Sequence, residues 1–208
     1  WYGSNDSSKM LSEWIYKYNE KGNNIETNRY NKPDDRLITK RIYKYDEGGN
    51  KIKQSQYESD GSLRDKYIYK YDEKGNRIEK SQYNSDEKLY RKYIYKYDEK
   101  GNRIEKSRYK GSGSLYRKYV YKYDEKGNKI ETNIYNSDGS LERKFSHEYN
   151  EQGNEIKSNT YRSNNLRKNL TYEYEYEYEY DKQGNWIKKV GFKNETPMYV
   201  SEREFVYY

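Results

Sequence analysis

The amino-acid sequence predicts an all-β protein: a repetitive antiparallel β-meander of hairpin repeats about 26 residues long, forming a single twisted or spiral sheet. Three observations carry this expectation. Residue types recur at a fixed step, alternating runs are separated by glycine turns, and composition removes the other classes. Of 208 residues, 31 are Tyr, while Ile, Leu, Val and Phe together number 28 and Ala and Cys are absent. A chain without Ala is no helical bundle. So few aliphatic side chains would read as disorder, but tyrosine supplies a ring that buries large area while its hydroxyl stays wet.

The repeat is direct. Leu37, Leu63, Leu89, Leu115 and Leu141 are each 26 apart, as are Ile52, Ile78, Ile104, Ile130 and Ile156, and Gly49, Gly75, Gly101, Gly127 and Gly153. An earlier copy around Gly22 is offset by 27 and a later one around Gly184 by 31, the irregular ends expected of capping repeats. This divides the chain into an N-terminal segment over 1–12, seven Tyr-rich hairpin repeats over 13–194, and a C-terminal edge strand over 195–208.

Within a repeat, two alternating runs and two glycine turns spell a hairpin followed by a tight return. The first turn, Asp98-Glu99-Lys100-Gly101-Asn102, suits a type I turn closed by a left-handed glycine, with Asp accepting from the backbone at the opening position. The structural turn residues are therefore Asp46, Gly49, Asp72, Gly75, Asp98, Gly101, Asp124, Gly127, Gly153 and Gly184. Bulged turns of this kind set Tyr97 opposite Arg103, Tyr95 opposite Glu105 and Tyr93 opposite Ser107. One face then carries Tyr93, Tyr95, Tyr97 and Tyr109, the other Lys92, Ile94, Lys96, Ile104, Lys106 and Arg108. Each repeat slides the rows by two residues, the stagger of a tilted sheet.

The recurring Tyr-Asp-x-x-Gly-Asn at Tyr71 to Asn76, Tyr97 to Asn102, Tyr123 to Asn128 and Tyr180 to Asn185 resembles the YD repeat of the bacterial RHS family, and the likeness spans about residues 13–194. The resemblance implies an exported or cell-surface protein whose repeats form a β-hairpin spiral, which in RHS proteins and related toxin complexes is a shell around a toxin domain. This sequence departs from that pattern: it has no recognisable toxin domain or RHS core-end segment and too few strands to enclose one. The resemblance therefore bears on fold and extracellular setting rather than on encapsulation.

The chemistry-bearing residues are few. Without Cys there are no disulfides, thiol nucleophiles or thiolate metal sites. The one imidazole, His147, falls at the strand position of Tyr43, Tyr69, Tyr95 and Tyr121 and reads as a structural substitution. The turn aspartates lack the dense oxygen ligands of a calcium loop, and no phosphate loop appears. The expectation is no enzymatic activity, no cofactor and no metal. No apolar run approaches a bilayer-spanning length. The polar start at Trp1, with neither Met nor an apolar stretch, predicts a processed or truncated product.

What remains is binding or assembly. The net charge of +7 is the remainder of a chain that is 37% charged, a mixed and solvated surface. Lys and Tyr on opposite faces argue against nucleic acid. A Tyr face built from Tyr69, Tyr71, Tyr95, Tyr97, Tyr121 and Tyr123 is the candidate platform for a glycan. An open meander also ends in two strand edges with unpaired backbone groups. Trp14 and Tyr16 on the first strand, near 13–20, and Tyr199, Phe205, Val206 and Tyr207 on the last, near 198–208, form the candidate assembly edge. The strict Tyr-Glu alternation over 172–180 sets five Tyr on one face and an acidic strip on the other. The expectation is an extracellular or bacterial cell-surface structural module that associates with itself or another surface protein through its edges, a route to filaments when head-to-tail contacts do not close. The alternative is a carbohydrate-binding module.

Overall fold

In a computed structural model the described residues are 12–164 and 167–207, with 164 and 167–171 described by backbone alone; the predicted N-terminal segment, apart from Ser12, lies outside them. The strands are β1 (Ser12–Tyr18), β2 (Asn24–Asn31), β3 (Arg36–Tyr45), β4 (Lys51–Glu58), β5 (Leu63–Tyr71), β6 (Arg77–Tyr83), β7 (Leu89–Tyr97) and β8 (Arg103–Lys110). They continue as β9 (Leu115–Tyr123), β10 (Lys129–Tyr135), β11 (Leu141–Tyr149), β12 (Glu155–Asn164), β13 (Arg167–Tyr180), β14 (Trp186–Lys193) and β15 (Thr196–Glu202). They lie in chain order in one open antiparallel sheet, as the repeat predicts. Two compact units divide the strands, one comprising residues up to 95 with 108–114 and the other 96–107 with the chain from 115 onward.

The turns form as predicted. Gly101 N–H donates to Asp98 O (3.1 Å), and Asp98 N–H to Asn102 O (2.9 Å), closing a type I turn with a left-handed residue at Gly101, φ 85°. The Asp98 carboxylate accepts from Asn102 N (2.7 Å) and Asn102 Nδ2 (3.0 Å). The same pairs recur at Asp46–Asn50, Asp72–Asn76 and Asp124–Asn128. Asp–Asn reciprocity is what the sixth residue of the motif contributes. All six predicted turn glycines have φ between 80° and 87°.

The predicted register fails one residue beyond the turn. In β5–β6, Tyr71 faces Arg77, but Lys70 faces Glu79 and Tyr69 faces Lys80, leaving Ile78 as a bulge. The equivalent isoleucine bulges at Ile25, Ile52, Ile130, Ile156 and Ile187. A second bulge follows the next turn, at Arg64, Tyr90 or Glu142. Because side chains alternate, a one-residue slip turns the whole shorter strand over. Lys80 and Gln82 therefore share the face of Tyr67 and Tyr69, while Glu79, Ser81 and Tyr83 lie with Lys66, Ile68 and Lys70. Two successive slips return the next long strand to phase: Tyr69 faces Lys80, which faces Tyr93, so the slide of two residues per repeat is present.

Among the described residues no side chain is fully enclosed; the buried apolar ones are Tyr69, Tyr95 and Tyr121, at 8, 6 and 9% exposure, and the tightest polar ones Ser55, Ser81 and Ser107. The faces of the sheet are themselves the packed layers.

Placing a Cβ at Gly101 leaves open space but a left-handed backbone, so Gly101→Ala is expected to cost about 1 kcal/mol through conformation alone. Urea unfolding should display this as a lower midpoint with an unchanged m-value.

Candidate interaction surfaces

The short strands place cations over the tyrosines, from before the bulge and from the flipped part beyond it. Arg77 stands between the rings of Tyr69 (5.7 Å) and Tyr95 (5.4 Å), Lys80 over Tyr67 (4.6 Å) and Lys51 over Tyr43 (5.1 Å). In the second unit Arg103 lies over Tyr121 (5.2 Å), Lys106 over Tyr119 (5.3 Å) and Lys189 over Tyr176 (4.1 Å). These contacts are cation–π pairs, and neighbouring rings stack, Tyr67–Tyr69 and Tyr93–Tyr95 each at 6.4 Å. The separation of Lys from Tyr expected from sequence is thus corrected.

Of the candidate Tyr face, Tyr69, Tyr95 and Tyr121 are buried in these stacks, and burial pushes the Tyr69 hydroxyl up to about 12. Tyr71 and Tyr123 are half-buried and donate their hydroxyls to Lys51 O and Arg103 O in the preceding repeat, both at 2.9 Å. Tyr97, the third such strand-end tyrosine, is likewise half-buried. The rings bind strand to strand, and the cations occupy faces on which a sugar would stack.

The opposite face is an ion-pair ladder that sequence reasoning missed. Glu26 is held by Lys17 (3.0 Å) and Lys40 (3.1 Å), Glu79 by Lys70 (3.4 Å) and Lys92 (3.0 Å), and Glu131 by Lys122 (3.1 Å) and Lys144 (2.6 Å). Glu105 bridges Lys96 and Lys118 likewise. Lys17 first, then Asn28 and Lys40, hold the Glu26 carboxyl at about 2 against the upward push of burial. At Glu131 burial is the largest influence and pushes upward, yet Lys144, Lys122 and Asn133 together bring it to about 2. The signal available in the sequence was the recurrence of Lys-x-x-Tyr-Lys and Ile-Glu at one period.

The Tyr-Glu run divides as predicted: Tyr174, Tyr178 and Tyr180 face Lys193, Lys189 and Trp186, while Glu175 and Glu179 face the other way. That acidic strip is partly neutralised within the chain, Lys157 pairing with Glu173 and Glu175 and Lys188 with Glu179. His147 sits at its expected strand position, Nδ1 2.8 Å from Glu155 Oε1. Glu155 stands where sister repeats carry Lys51, Arg77, Arg103 and Lys129, so an acid–imidazole pair replaces a cation–tyrosine pair.

The edges are β1 and β15. Trp14, Tyr16 and Tyr199 are exposed there, as are Met198 and Val200. The last strand is shorter than expected: it ends at Glu202, and Phe205, Val206 and Tyr207 lie beyond it. The cause is a side-chain anchor. Arg203 packs on Trp186 (3.3 Å), and the Tyr207 hydroxyl accepts from Asn185 Nδ2 (2.8 Å) and donates to Asp181. Phe205 and Tyr207 stack at 6.3 Å, and Tyr178 and Tyr180 form a tilted pair at 6.1 Å, so aromatic pairing continues without the backbone ladder. Arg203 N–H donates to Ile187 O (2.8 Å), and Glu202 faces Lys188. By period two, Ser201 N–H points to β14, whereas the N–H and C=O of Val200 and Glu202 point away from it.

An open groove of about 630 Å³ separates the turns at Asp98 and Asp124, floored by Ile104, Ile130 and Tyr121. Lys100 Nζ crosses it to Glu125 O (3.3 Å). No helix among the described residues is long and apolar enough to cross a membrane.

No protein-family model matches the chain, and no curated protein does. Among solved structures, TcdB2-TccC3 is similar at 12% identity and TM-score 0.41 over 92% of this chain, which spans 13% of that one. A porin-like protein from Bacteroides uniformis is 10% identical at TM-score 0.41, over 90% of this chain and 87% of its own. The Photorhabdus luminescens Tc holotoxin pore is 13% identical at TM-score 0.27, over 92% of this chain and 14% of its own.

Because Glu26 and Glu131 are depressed from 4.5 to about 2 in the folded chain, their stabilisation is complete above about pH 4.5 and is lost as pH falls toward 2. Denaturation midpoints measured from pH 7 downward should fall through that window, and Glu131→Gln should flatten the dependence. An identical pH slope in the variant would exclude Glu131 as a contributor.

Proposed function

We propose that this chain is a non-enzymatic structural repeat module of an extracellular or cell-surface protein, and that it associates with a second copy by pairing the open edge of its sheet. The observation that carries the reading is the outer side of β15. There, among the described residues, no strand neighbours the N–H and C=O groups of Val200 and Glu202, and Met198, Tyr199 and Val200 are exposed beside them. Such an edge is a template for another strand, and strand addition supplies affinity through main-chain hydrogen bonds. At β1, Trp14, Ile15, Tyr16 and Tyr18 are exposed in the same way.

Natural edges that avoid pairing use Pro and charge. Here Pro197 and Glu202 guard the ends of β15, and the stretch between them is apolar apart from Ser201. The extracellular setting rests on the resemblance of the Tyr-Asp-x-x-Gly-Asn motif. Glycan binding on the Tyr rows has less support, because the central rings are buried and cations cover their neighbours.

Val200→Pro removes an outward N–H without removing a bond to β14. In light scattering across a concentration series, with negative-stain microscopy alongside, the parent chain should grow with concentration. The variant should require at least about tenfold more protein, since each backbone bond lost is worth about 1 kcal/mol and the ring adds a clash. A parent chain that stays monomeric throughout would refute the reading.

A further inference from the structure

The ion-pair ladder has one rung with the wrong charge. In the repeats of Glu26, Glu79, Glu105 and Glu131 a carboxylate lies between two ammonium groups from the flanking strands. The equivalent of Glu79 in the repeat before it is Lys53, and the equivalents of Lys70 and Lys92 are Lys44 and Lys66. Lys53 faces Lys44 directly and Ile68 on its other side, as Glu79 faces Lys70 and Ile94. Like charges directly opposite are destabilising.

Two other rungs have also exchanged Glu for Lys, and there the flanks have changed with them: Lys188 faces Glu179 and Glu202 and pairs with Glu179. Lys157 faces Glu148 and Glu175 and pairs with Glu173 and Glu175. At Lys53 the flanks remain lysine.

A single carboxylate approaches this cluster. Glu87 pairs with Lys66, and it does so from a left-handed turn position, φ 58°, held by Gly61, Gly113 and Gly139 in sister turns. That conformation is costly for a residue with a side chain. Lys66 first, and Lys53 at longer range, hold the Glu87 carboxyl below its ordinary value. Glu87 thus pairs with Lys66 and reaches Lys53 only at longer range, and among the described residues no ion pair joins Lys44 or Lys53 to a carboxylate.

We infer that Lys44 and Lys53, with Lys66 beside them, form a binding site for a divalent tetrahedral oxyanion of the phosphate or sulfate class. Its charge balances the two uncompensated ammonium groups. Its oxygens take the place that the glutamate oxygens fill in the sister rungs, and they accept from several ammonium donors at once.

The test uses the full chain and compares thermal unfolding in sodium phosphate, sodium sulfate and sodium chloride at matched ionic strength, with Lys53→Glu and Lys44→Gln variants. Phosphate and sulfate also stabilise proteins by exclusion from the surface, so the readout is the difference between parent and variants at low millimolar anion. The parent Tm should rise about 2 to 4 °C more in phosphate or sulfate than in chloride. Lys53→Glu, which restores the residue of the sister rungs, should have a higher Tm in chloride and no oxyanion-specific gain; Lys44→Gln should lose the gain without the rise. Phosphorus NMR of inorganic phosphate should broaden with the parent and not with Lys53→Glu. Equal shifts in all three salts, or an oxyanion gain that persists in Lys53→Glu, would overturn the site. Response to sulfate but not phosphate, or the reverse, would identify which anion it takes.

Discussion

The paired β-bulges set every other feature of this sheet. One residue is displaced at the isoleucine after each first turn, and one after the leucine that follows the second. Each displacement reverses the short strand relative to its neighbour. Without them Glu79 would lie between Tyr69 and Tyr93, a carboxylate among half-buried rings, and Lys80 would join Lys66, Lys70 and Lys92. With them Lys80 meets the Tyr67 ring and Glu79 meets Lys70 and Lys92. The electrostatics of the short strand select the slipped register over the straight one, and the bulge adds local twist.

That choice lets a chain with 28 Ile, Leu, Val and Phe residues do without an enclosed core. Ring stacks, cation–π contacts and Lys–Glu–Lys rungs each contribute roughly 0.2 to 1 kcal/mol between adjacent strands, and tyrosine hydroxyls tie one repeat to the backbone of the last. At Tyr45 the acceptor is Asn24 O, at Tyr149 it is Lys129 O. Every such bond reaches only a nearby strand, so stability accumulates as it does in other repeat arrays. Small residues stand between long ones: Ser55, Ser81 and Ser107 are 3% exposed, and Ser81 faces Ile68 and Lys92 and donates its hydroxyl to Glu79.

The architecture was legible because it rests on glycine and aspartate at fixed steps, residues whose backbone preferences are local. Turn type, strand order and the two-residue slide all follow from Asp98 to Asn102 and its copies. The faces were not legible. In Arg77-Ile78-Glu79-Lys80-Ser81-Gln82-Tyr83 polar residues stand at both parities, so hydrophobic alternation cannot distinguish the straight register from the slipped one. Only the cross-strand charges can, and they emerge when Lys70, Glu79 and Lys92 are considered together. The C-terminal edge misled for a related reason. Phe205, Val206 and Tyr207 read as a continuing strand, yet they continue the aromatic pairing of Tyr178 with Tyr180 and the Asn150–Tyr180 contact of the preceding repeat.

Lys53 apart, departures from the repeat at these rungs are coupled across strands. His147 appears with Glu155, and Lys157 with Glu148 and Glu175, so each altered residue meets an altered partner. The coupling has a physical basis: a rung is a contact between side chains about 5 Å apart, and one member cannot change sign without leaving the other unbalanced. Among the described residues no strand lies beyond β15 to supply such a partner. Its side chains are nevertheless fixed from the inner side: Tyr199 lies against Gly191, where an added Cβ would meet its ring at 2.7 Å, and Tyr207 is bound to the Asp181 turn. An edge fixed from one side loses little freedom when a strand pairs with the other, so the strand pairing proposed at Val200 and Glu202 would carry a small ordering cost.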